Sequence, residues 1–200
     1  TFRNFVSNLD KVSKTNSRVL ISGASGSGKE AASRYIHENS RQSSGDFIVV
    51  DCSTSNQADL DRMLFGYEAS EGSNNIGALE KANGGSIFLD EVSELSLELQ
   101  SKLLKVLVEN SVRKVGSDKK IDVDLRFISS TSSDLGEKIK NKSFREDLFH
   151  RLNVVPIKIP NLNERIEDIP ILAEHFSEKL SLANGLALRK FSNEALTFLQ

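Results

Sequence analysis

The feature that most constrains this chain is a glycine-rich segment between a strand-like run and a helix-like run. Gly23-Ala24-Ser25-Gly26-Ser27-Gly28-Lys29 follows the apolar run Val19–Ile21 and precedes an amphipathic segment, Glu30–Ser40. This is the phosphate-binding loop pattern, in the strand–loop–helix setting that the pattern requires. The alternative, a merely flexible Gly/Ser turn, would not need a strand before it and a helix after it. Glycines let backbone N–H groups turn toward a polyphosphate, and the lysine adds a positive charge. The segment therefore predicts a site for a nucleoside triphosphate, ATP or its product ADP.

A second candidate site follows from one departure in the loop. Glu30 stands where a Ser or Thr hydroxyl usually holds Mg²⁺, so the magnesium must depend more on water and on carboxylates elsewhere. The apolar run Ile87–Leu89 ends in two such carboxylates, Asp90 and Glu91. Any strand can end in solvated acids, but the position of these two after a phosphate loop favours a function. We expect Asp90 to hold Mg²⁺ through water and Glu91 to accept a proton from the attacking water.

Composition places the chain among soluble globular proteins. Its 200 residues are 38% hydrophobic and 27% charged, which suits one α/β domain and part of another. No apolar run approaches the ~18–20 residues of a membrane span, and no signal peptide is visible, so we expect a cytoplasmic protein without a membrane partner. The chain starts at Thr1 without a methionine, so we expect an excised domain. The net charge of −2 argues against a DNA-binding module in this segment.

The single cysteine, Cys52, excludes an internal disulfide and fits a reducing compartment. It lies in the apolar run Phe47–Cys52, so we expect core packing rather than catalysis.

Short apolar runs alternate with helical patterns, which predicts an α/β fold with a parallel sheet covered by helices. The predicted strands are Val19–Ser22, Phe47–Asp51, Ser86–Leu89, Arg126–Ser130 and Val154–Ile159, with a hairpin over Val112–Val115 and Lys120–Leu125. The predicted helices are Lys29–Glu38, Asp59–Phe65, Ser96–Asn110, Glu137–Lys140, Arg145–Leu152, Glu167–Leu182 and a last one from Ser192. The pattern becomes entirely helical after Pro160. We therefore expect a nucleotide-binding domain over residues 1–160 and the first part of a helical domain over 161–200.

A third candidate site is the segment Phe144–Leu152, which carries Arg145 and Arg151. Both arginines could simply be solvated, and Asp147 with Arg151 could form an ordinary i,i+4 pair worth a few tenths of a kcal/mol. Six residues apart on one helix, the arginines would point about 240° apart. They can face one phosphate only if one of them lies at a helix end, and the spacing does not decide this.

Taken together, these segments resemble the AAA+ domain of the NtrC-like activators of sigma-54 RNA polymerase. The resemblance rests on Gly23–Glu30, Leu64–Gly66, Gly84–Glu91, Gln100–Leu107, Val115–Gly116, Phe144–Leu152 and Glu164–Pro170. A glutamate after the loop lysine is normal for that family. The resemblance implies a five-stranded parallel sheet with a helical lid, self-association into a dimer or ring, and ATP hydrolysis at subunit interfaces. A lid arginine of the family would lie beyond Gln200.

The resemblance also assigns residues. Arg145 and Arg151 take the places of arginine fingers that reach the γ-phosphate held by a neighbouring subunit. Thr131 and Ser132 stand at the sensor position, where Thr-Asn is usual. Asp51 stands where an asparagine usually restrains the catalytic glutamate. An acid at that place would raise the apparent pKa of the pair that it forms with Glu91.

The main departure from the family is a loop. Between Gly66 and Gly77 the family normally carries a longer segment with Gly-Ala-Phe-Thr-Gly-Ala, which grips sigma-54. Here the stretch Tyr67–Ile76 is shorter, polar and without an aromatic tip, so we expect it to be a solvated turn and expect no sigma-54 binding. Within the family this combination resembles the NtrX group of response regulators, some of which lack that loop.

Two functions of different classes remain open. The first is an ATPase with weak, assembly-dependent hydrolysis, switched by a receiver domain outside this chain that a sensor histidine kinase phosphorylates. The second is a nucleotide-binding oligomerisation module that regulates transcription through a DNA-binding domain, also outside this chain. The intact Lys29, Asp90, Glu91, Arg145 and Arg151 favour the first, whereas Asp51, Ser132 and the short loop favour the second. An unrelated small-molecule kinase is disfavoured, because no substrate pocket motif is present and the paired arginines would have no role.

Overall fold

The computed structural model describes residues 2–68 and 74–199. The chain divides into two compact units by its internal contacts. One unit contains residues 4–159, and the other contains residues 160–199 with the first residues of the chain.

The larger unit is built on a parallel β-sheet. The strands are β1 (Val19–Ser22), β2 (Phe47–Asp51), β3 (Gly66–Glu68), β4 (Asn74–Ile76), β5 (Ser86–Asp90), β6 (Ser111–Arg113), β7 (Lys120–Asp122), β8 (Arg126–Thr131) and β9 (Val155–Lys158). Five of them form the sheet in the order β2-β5-β8-β1-β9, and every pair in it is parallel. These are the five strands expected from the sequence, and the α/β fold with a five-stranded parallel sheet is confirmed.

The helices lie between the strands in sequence. They are α1 (Phe2–Ser13), α2 (Lys29–Glu38), α3 (Gln57–Phe65), α4 (Ala78–Lys81), α5 (Leu97–Glu109), α6 (Leu135–Lys140), α7 (Glu146–Leu152), α8 (Ile169–Asn184) and α9 (Asn193–Leu199), with short 3₁₀ turns at Val92–Glu94, Leu162–Glu164 and Ile166–Asp168. Polar caps fix several starting points. The side chains of Asn56, Ser96 and Asp134 accept hydrogen bonds from the first backbone N–H groups of α3, α5 and α6.

Side chains that alternate along the strands fill two hydrophobic cores on the two faces of the sheet. Leu20, Ile87 and Leu89 pack on one face with α3, α5 and α7. Ile21 and Phe88, which are their neighbours in sequence, pack on the other face with α1 and α2. Cys52 is fully buried in the first core, as expected.

The sheet brings the candidate residues together at one edge. Because its strands are parallel, their carboxyl ends meet there, and such an edge is where α/β folds bind ligands. The phosphate loop follows β1, Asp90 and Glu91 close β5, and Ser130–Ser132 close β8, which lies between the other two strands. Ser22 is in register with Thr131.

Besides the short helix α4 (Ala78–Lys81), two further elements were not expected from the sequence. Helix α1 buries Leu9 and packs Phe5 and Val12 against the second core, and the guanidinium of Arg126 donates to the carbonyls of Val12 (2.7 Å) and Ser13 (3.0 Å) at its end. The apolar residues of this helix, Phe2, Phe5, Val6, Leu9 and Val12, recur at helical spacing, so the sequence does carry a signal for it.

The other unexpected element is a hairpin formed by β3 and β4. Its register pairs Gly66 with Ile76 and Tyr67 with Asn75. The ends of the segment expected to be a turn are therefore paired strands. The centre of that turn, residues 69–73, lies outside the described residues.

The smaller unit is helical. A capping box joins Asn161 and Glu164, and Pro170 lies in the first turn of α8. Helix α8 is followed by Gly185, whose φ of 62° is left-handed and caps the helix. Among the residues that the structure describes, no helix combines the length and apolarity needed to cross a lipid bilayer.

Candidate nucleotide-binding site

The loop between β1 and α2 has the backbone of an anion site. Gly26 and Gly28 have φ values of 73° and 99°, a region that L-residues other than glycine adopt only under strain. The first hydrogen bond of α2 runs from the N–H of Ala32 to the carbonyl of Gly28 (3.0 Å). The N–H groups of residues 29–31 therefore have no acceptor within the helix, and such N–H groups at a helix start bind phosphate.

Lys29 connects this loop to the acidic end of β5. Its side chain is only 7% exposed, and its ammonium lies 2.9 Å from Oε1 of Glu91. The same ammonium donates to the carbonyls of Gly23 (3.1 Å) and Ala24 (3.2 Å). All three hydrogens of the ammonium thus have acceptors, and the positive charge is held at the mouth of the loop.

Glu91 is held by its backbone and by both carboxylate oxygens. Its φ of 55° is left-handed, and its N–H donates to Oγ of Ser130 (3.1 Å). Oε2 accepts hydrogen bonds from the N–H (2.8 Å) and the hydroxyl (2.9 Å) of Ser132, while Oε1 pairs with Lys29. A non-glycine residue in this conformation is strained, and such strain is concentrated at functional sites.

The electrostatics of Glu91 correct one expectation. Burial by itself raises the pKa of this carboxyl, but the hydrogen bonds from Lys29 and Ser132 outweigh burial and hold the pKa below its usual value. The expected rise in pKa through Asp51 is therefore wrong for this structure. Glu91 is ionised at neutral pH, which is the protonation state that a general base needs.

Asp51 lies beside Asp90 in the strand register, but its side chain points elsewhere. Its Oδ1 accepts hydrogen bonds from the N–H (2.8 Å) and the hydroxyl (2.6 Å) of Ser53. Within the described residues Glu91 is restrained by Ser132 and Lys29, and no hydrogen bond joins it to Asp51.

Asp90 has a carboxylate that fits a magnesium site. One of its oxygens accepts a short hydrogen bond from the hydroxyl of Ser130, and the described residues provide no donor for the other oxygen. Nowhere in the described chain do three or more His, Cys, Asp or Glu side chains cluster as metal ligands. A magnesium ion here would therefore be held by Asp90 together with water and phosphate oxygens, which is a common arrangement for Mg²⁺.

The other candidate residues of the phosphate loop and of the sensor position take part in the site mainly through their backbone N–H and carbonyl groups. Thr131 is buried, its hydroxyl donates to the carbonyl of Ser133 (3.1 Å), and its own carbonyl accepts from the N–H of Gly23 (3.2 Å). Thr131 thus ties the loop to β8 without touching Glu91. The carboxylate of Glu30 is exposed and pairs with Arg34 (3.0 Å), so Glu30 offers a phosphate its N–H. Ser25 is exposed, and the N–H of Ser27 bonds to the carbonyl of Ala24 (3.2 Å).

Arg145 lies at the N-cap of α7, outside the helix, which resolves the angular problem posed by its spacing from Arg151. Its guanidinium forms a bidentate pair with Asp147, with distances of 3.0 and 2.7 Å, and donates to Oγ of Ser101 (3.1 Å). This pairing with Asp147 raises the pKa of Arg145. Asp147 therefore pairs with Arg145, and the i,i+4 pair with Arg151 does not form.

Arg151 is exposed in the last turn of α7, and no described residue gives its side chain an acidic partner. Another cation, Arg18, lies near Arg151. The pKa of Arg18 is lowered, mainly by burial and to a smaller extent by the positive charge of Arg151. In the described chain neither Arg145 nor Arg151 contacts Lys29, Asp90 or Glu91. One copy of the domain thus brings the loop, the two acids and the serines together and leaves the arginines apart.

Ser130 is a site residue that the sequence did not single out, and the role of Ser132 was not foreseen. Both belong to the run Ser129–Ser133 at the carboxyl end of β8. A cluster of hydroxyls that ends a strand beside the Asp-Glu strand was a usable signal. It could be read only with the strand order, which places β8 against β5.

Gln100 is a second residue that was missed. It is fully buried, its amide donates to the carbonyls of Leu95 (2.8 Å) and Ser143 (3.0 Å), and its Oε1 accepts from the N–H of Arg145 (2.8 Å). Gln100 therefore fixes the backbone that carries Arg145.

Sequence comparisons find relatives over nearly the whole chain. The nitrogen assimilation regulatory protein NtrX of Azorhizobium caulinodans is 47% identical over 193 residues, which cover 96% of this chain and 42% of that protein. The transcriptional regulatory protein FlbD of Caulobacter vibrioides is 41% identical over 190 residues, covering 93% of this chain and 42% of that protein. The chain thus spans less than half the length of these relatives.

Comparison with solved structures finds the same group of relatives. A crystal structure of NtrX from Brucella abortus superposes with a TM-score of 0.95 at 41% identity, covering 99% of this chain and 45% of that chain. The structure of the same protein in complex with ATP gives a TM-score of 0.90 over 98% of this chain and 43% of that chain. The profile of the sigma-54 interaction domain matches residues 1–158. The chain therefore belongs to the sigma-54 interaction domain family, the AAA+ domains of the NtrC-like transcriptional regulators.

Proposed function

We propose that this domain binds ATP and ADP and hydrolyses ATP weakly, only when copies of the domain assemble. The observation that carries the proposal is the 2.9 Å ion pair between Lys29 and Glu91, which joins the phosphate loop to an ionised carboxylate. A charge pair of this kind places a phosphate-binding cation and a general base within one site.

Nucleotide binding follows from the loop. The N–H groups at the start of α2 and the ammonium of Lys29 together match a polyphosphate. To reach the phosphates, Lys29 must leave Oε1 of Glu91, so binding and release of the base are coupled. The relative from Brucella abortus, which was solved with ADP and with ATP, supports the same ligands here.

Hydrolysis needs a water, a base and charge neutralisation. In the proposed reaction Glu91 accepts a proton from water, the water oxygen bonds to the γ-phosphorus, and the bond from that phosphorus to the β–γ bridging oxygen breaks. The products are ADP and inorganic phosphate. Mg²⁺, when bound through Asp90 and water, would neutralise phosphate charge.

In this proposal, Arg145 and Arg151 make hydrolysis at the site depend on the assembly of several copies of the domain. Arg151 is exposed and unpaired within the described residues, and neither arginine reaches the site of its own chain. We infer that Arg151, with Arg145, serves the site of a neighbouring copy. Such a contact is head-to-tail, which yields a dimer or a ring when the rotation closes. Asp147 holds Arg145 more firmly than any described residue holds Arg151, so Arg151 is the stronger candidate for the residue that reaches the phosphate.

The way in which this domain would regulate transcription differs from that of a sigma-54 activator. The segment between Gly66 and Gly77 lacks the Gly-Ala-Phe-Thr-Gly-Ala sequence, and the β3–β4 hairpin leaves only residues 69–73 between its strands. We infer that the domain does not bind sigma-54. In this account, regulation comes from a DNA-binding domain and a phosphorylated receiver domain in the rest of a longer, cytoplasmic protein, which receives its phosphate from a sensor kinase.

The alternative is an oligomerisation module without significant turnover. One observation favours it: both oxygens of Glu91 are occupied, by Lys29 and by Ser132, so the base is engaged before nucleotide binds. This alternative predicts tight ATP binding and assembly without release of phosphate.

The deciding experiment measures phosphate release per domain while the protein concentration is raised, with ATP affinity measured in parallel. Turnover that rises with concentration supports the proposed ATPase. ATP binding without turnover at any concentration supports the oligomerisation module. Turnover that is independent of concentration would contradict action of the arginines between copies.

The expected lack of sigma-54 binding is tested by capture of purified sigma-54 on the immobilised domain, with ADP and aluminium fluoride as the transition-state mimic. We expect no capture. Robust capture that is lost when Tyr67 and Ile76, the apolar residues of this segment, are both replaced by alanine would overturn this part of the proposal.

A further inference from the structure

We propose that Ser132 is the residue that positions Glu91 during hydrolysis, in place of Asp51. This inference rests on the proposed function and names a positioning residue of the same site. Ser132 holds Oε2 throughout, whereas Lys29 holds Oε1 only until nucleotide arrives.

The two oxygens of Glu91 have partners of different kinds. Lys29 is a buried cation at the start of α2, beside the phosphate loop, and ATP competes for it directly. Ser132 holds Oε2 with a backbone N–H at 2.8 Å and a hydroxyl at 2.9 Å. This backbone N–H lies just beyond β8, a central strand of the sheet. The carbonyl of the same peptide group accepts from the N–H of Gly23 (3.2 Å), which continues the pairing of β1 with β8 and fixes this peptide group to the sheet. Nucleotide binding therefore removes the partner of Oε1 and leaves the partners of Oε2 in place.

Ser130 makes this arrangement rigid. Its hydroxyl accepts from the N–H of Glu91 and donates to the carboxylate of Asp90. The backbone of Glu91 is thus fixed to β8 at one residue and its carboxylate two residues further on. With both ends held, the departure of Lys29 frees Oε1 to accept a proton from water and does not release the whole side chain.

Asp51 cannot perform this task in the observed geometry. Its Oδ1 already accepts two hydrogen bonds from Ser53, and no hydrogen bond joins it to Glu91 among the described residues. Serine suits the role because its side chain is short. A short side chain lets the N–H and the hydroxyl of one residue reach the same oxygen atom.

A positioning role predicts a specific kinetic pattern. Replacing Ser132 by alanine removes one of the two donors to Oε2 and leaves the backbone N–H. We expect kcat for ATP to fall about 10-fold, with KM for ATP and the affinity for ATP changed by less than about 2-fold, because one hydrogen bond to a charged group is lost. Ser132→Thr keeps the hydroxyl and should restore most of kcat.

The matched control is the next residue. Ser133→Ala removes a hydroxyl that makes no hydrogen bond within the described residues, and its backbone contacts with Thr131 remain possible. The kcat of this variant should equal that of the wild type. Unchanged kcat in Ser132→Ala would overturn the proposal. An equal loss in Ser132→Ala and Ser132→Thr, with a lowered Tm in both, would also overturn it, because it would indicate a structural role.

The closing experiment does not depend on turnover. It is a crystal structure of the wild-type domain with Mg²⁺ and the non-hydrolysable analogue AMP-PNP. We expect Nζ of Lys29 on the phosphates, and Oε2 of Glu91 still within hydrogen-bond distance of the N–H and hydroxyl of Ser132. A carboxylate that has left Ser132 would overturn the inference. Absence of phosphate release from the wild type would instead overturn the proposed hydrolysis, so the two failures can be told apart.

Discussion

Replacing Glu91 by glutamine should increase the affinity for ATP while it abolishes hydrolysis. In the nucleotide-free domain ATP must first separate Lys29 from Glu91, and both side chains are largely buried, at 7% and 18% exposure. Glutamine keeps a carbonyl acceptor but no charge. The variant therefore weakens the interaction that competes with ATP and leaves the phosphate loop intact.

The size of the effect follows from the kind of hydrogen bond exchanged. A hydrogen bond to a charged group contributes about 1.5–3 kcal/mol and a neutral one about 0.5–1.5 kcal/mol, so the nucleotide-free state loses about 1 kcal/mol. The ATP-bound state, in which Lys29 contacts phosphate, loses much less. The affinity should therefore rise about 5-fold. The Tm without nucleotide should fall by about 2–4 °C.

Isothermal titration calorimetry with AMP-PNP measures the affinity, and differential scanning calorimetry measures the Tm. The control is Asp51→Asn, which removes a negative charge from the same edge of the sheet. Among the described residues the carboxylate of Asp51 bonds to Ser53 alone, so its replacement should change the affinity by less than about 2-fold. Unchanged or weaker binding by Glu91→Gln would refute the competition for Lys29. An equal gain in both variants would attribute the effect to net charge.

Three further predictions concern binding and stability. Lys29→Ala should weaken ATP and ADP binding at least about 10-fold by calorimetry, because the charge that meets the phosphates is lost; unchanged affinity would contradict the site. Arg126→Met should lower the free energy of unfolding by about 2 kcal/mol in urea titrations, because the buried guanidinium that donates to the end of α1 is removed; no change would show that these bonds do not stabilise the helix. The pKa of His37 is lowered, mainly by burial, so His37 is protonated at a higher pH in the unfolded chain than in the folded chain. Stability should therefore fall as the pH drops from 7.5 to 5.5, and His37→Asn should flatten that dependence; an unchanged slope would refute the assignment.

The parts of the fold that the sequence predicted are those with strong local patterns. The strands of the sheet carry buried apolar runs, and the phosphate loop has fixed residue types at fixed spacing, so both could be placed to within a residue or two. The β3–β4 hairpin is too short for a clear period and depends on a partner distant in sequence, Val115. Helix α1, by contrast, has apolar residues at helical spacing, so its sequence was sufficient to predict it.

The contacts within the site were less predictable than its location. Lys29 and Glu91 were expected in one site, but their direct pairing depends on how the loop and the end of β5 meet in space. The role of Asp51 was inferred from a resemblance, and the side chain instead bonds to Ser53, two residues further along the chain. The role of Ser132 depends on the strand order, because β8 is adjacent to β5 although the two strands are far apart in sequence.

The central claim is that the site of one copy is completed by an arginine of another. The most direct test mixes two variants that are each inactive in this account. Arg151→Ala has an intact site but no finger, and an arginine finger contributes about 10³-fold or more in rate. Glu91→Gln has no base but keeps its Arg151.

At a 1:1 ratio in a randomly mixed head-to-tail assembly, about a quarter of the interfaces join an intact site to an intact finger. The account predicts that phosphate release returns to about that fraction of the wild-type value. A mixture no more active than its two components, at concentrations where the wild type is active, would contradict the claim and place the arginines in a structural role.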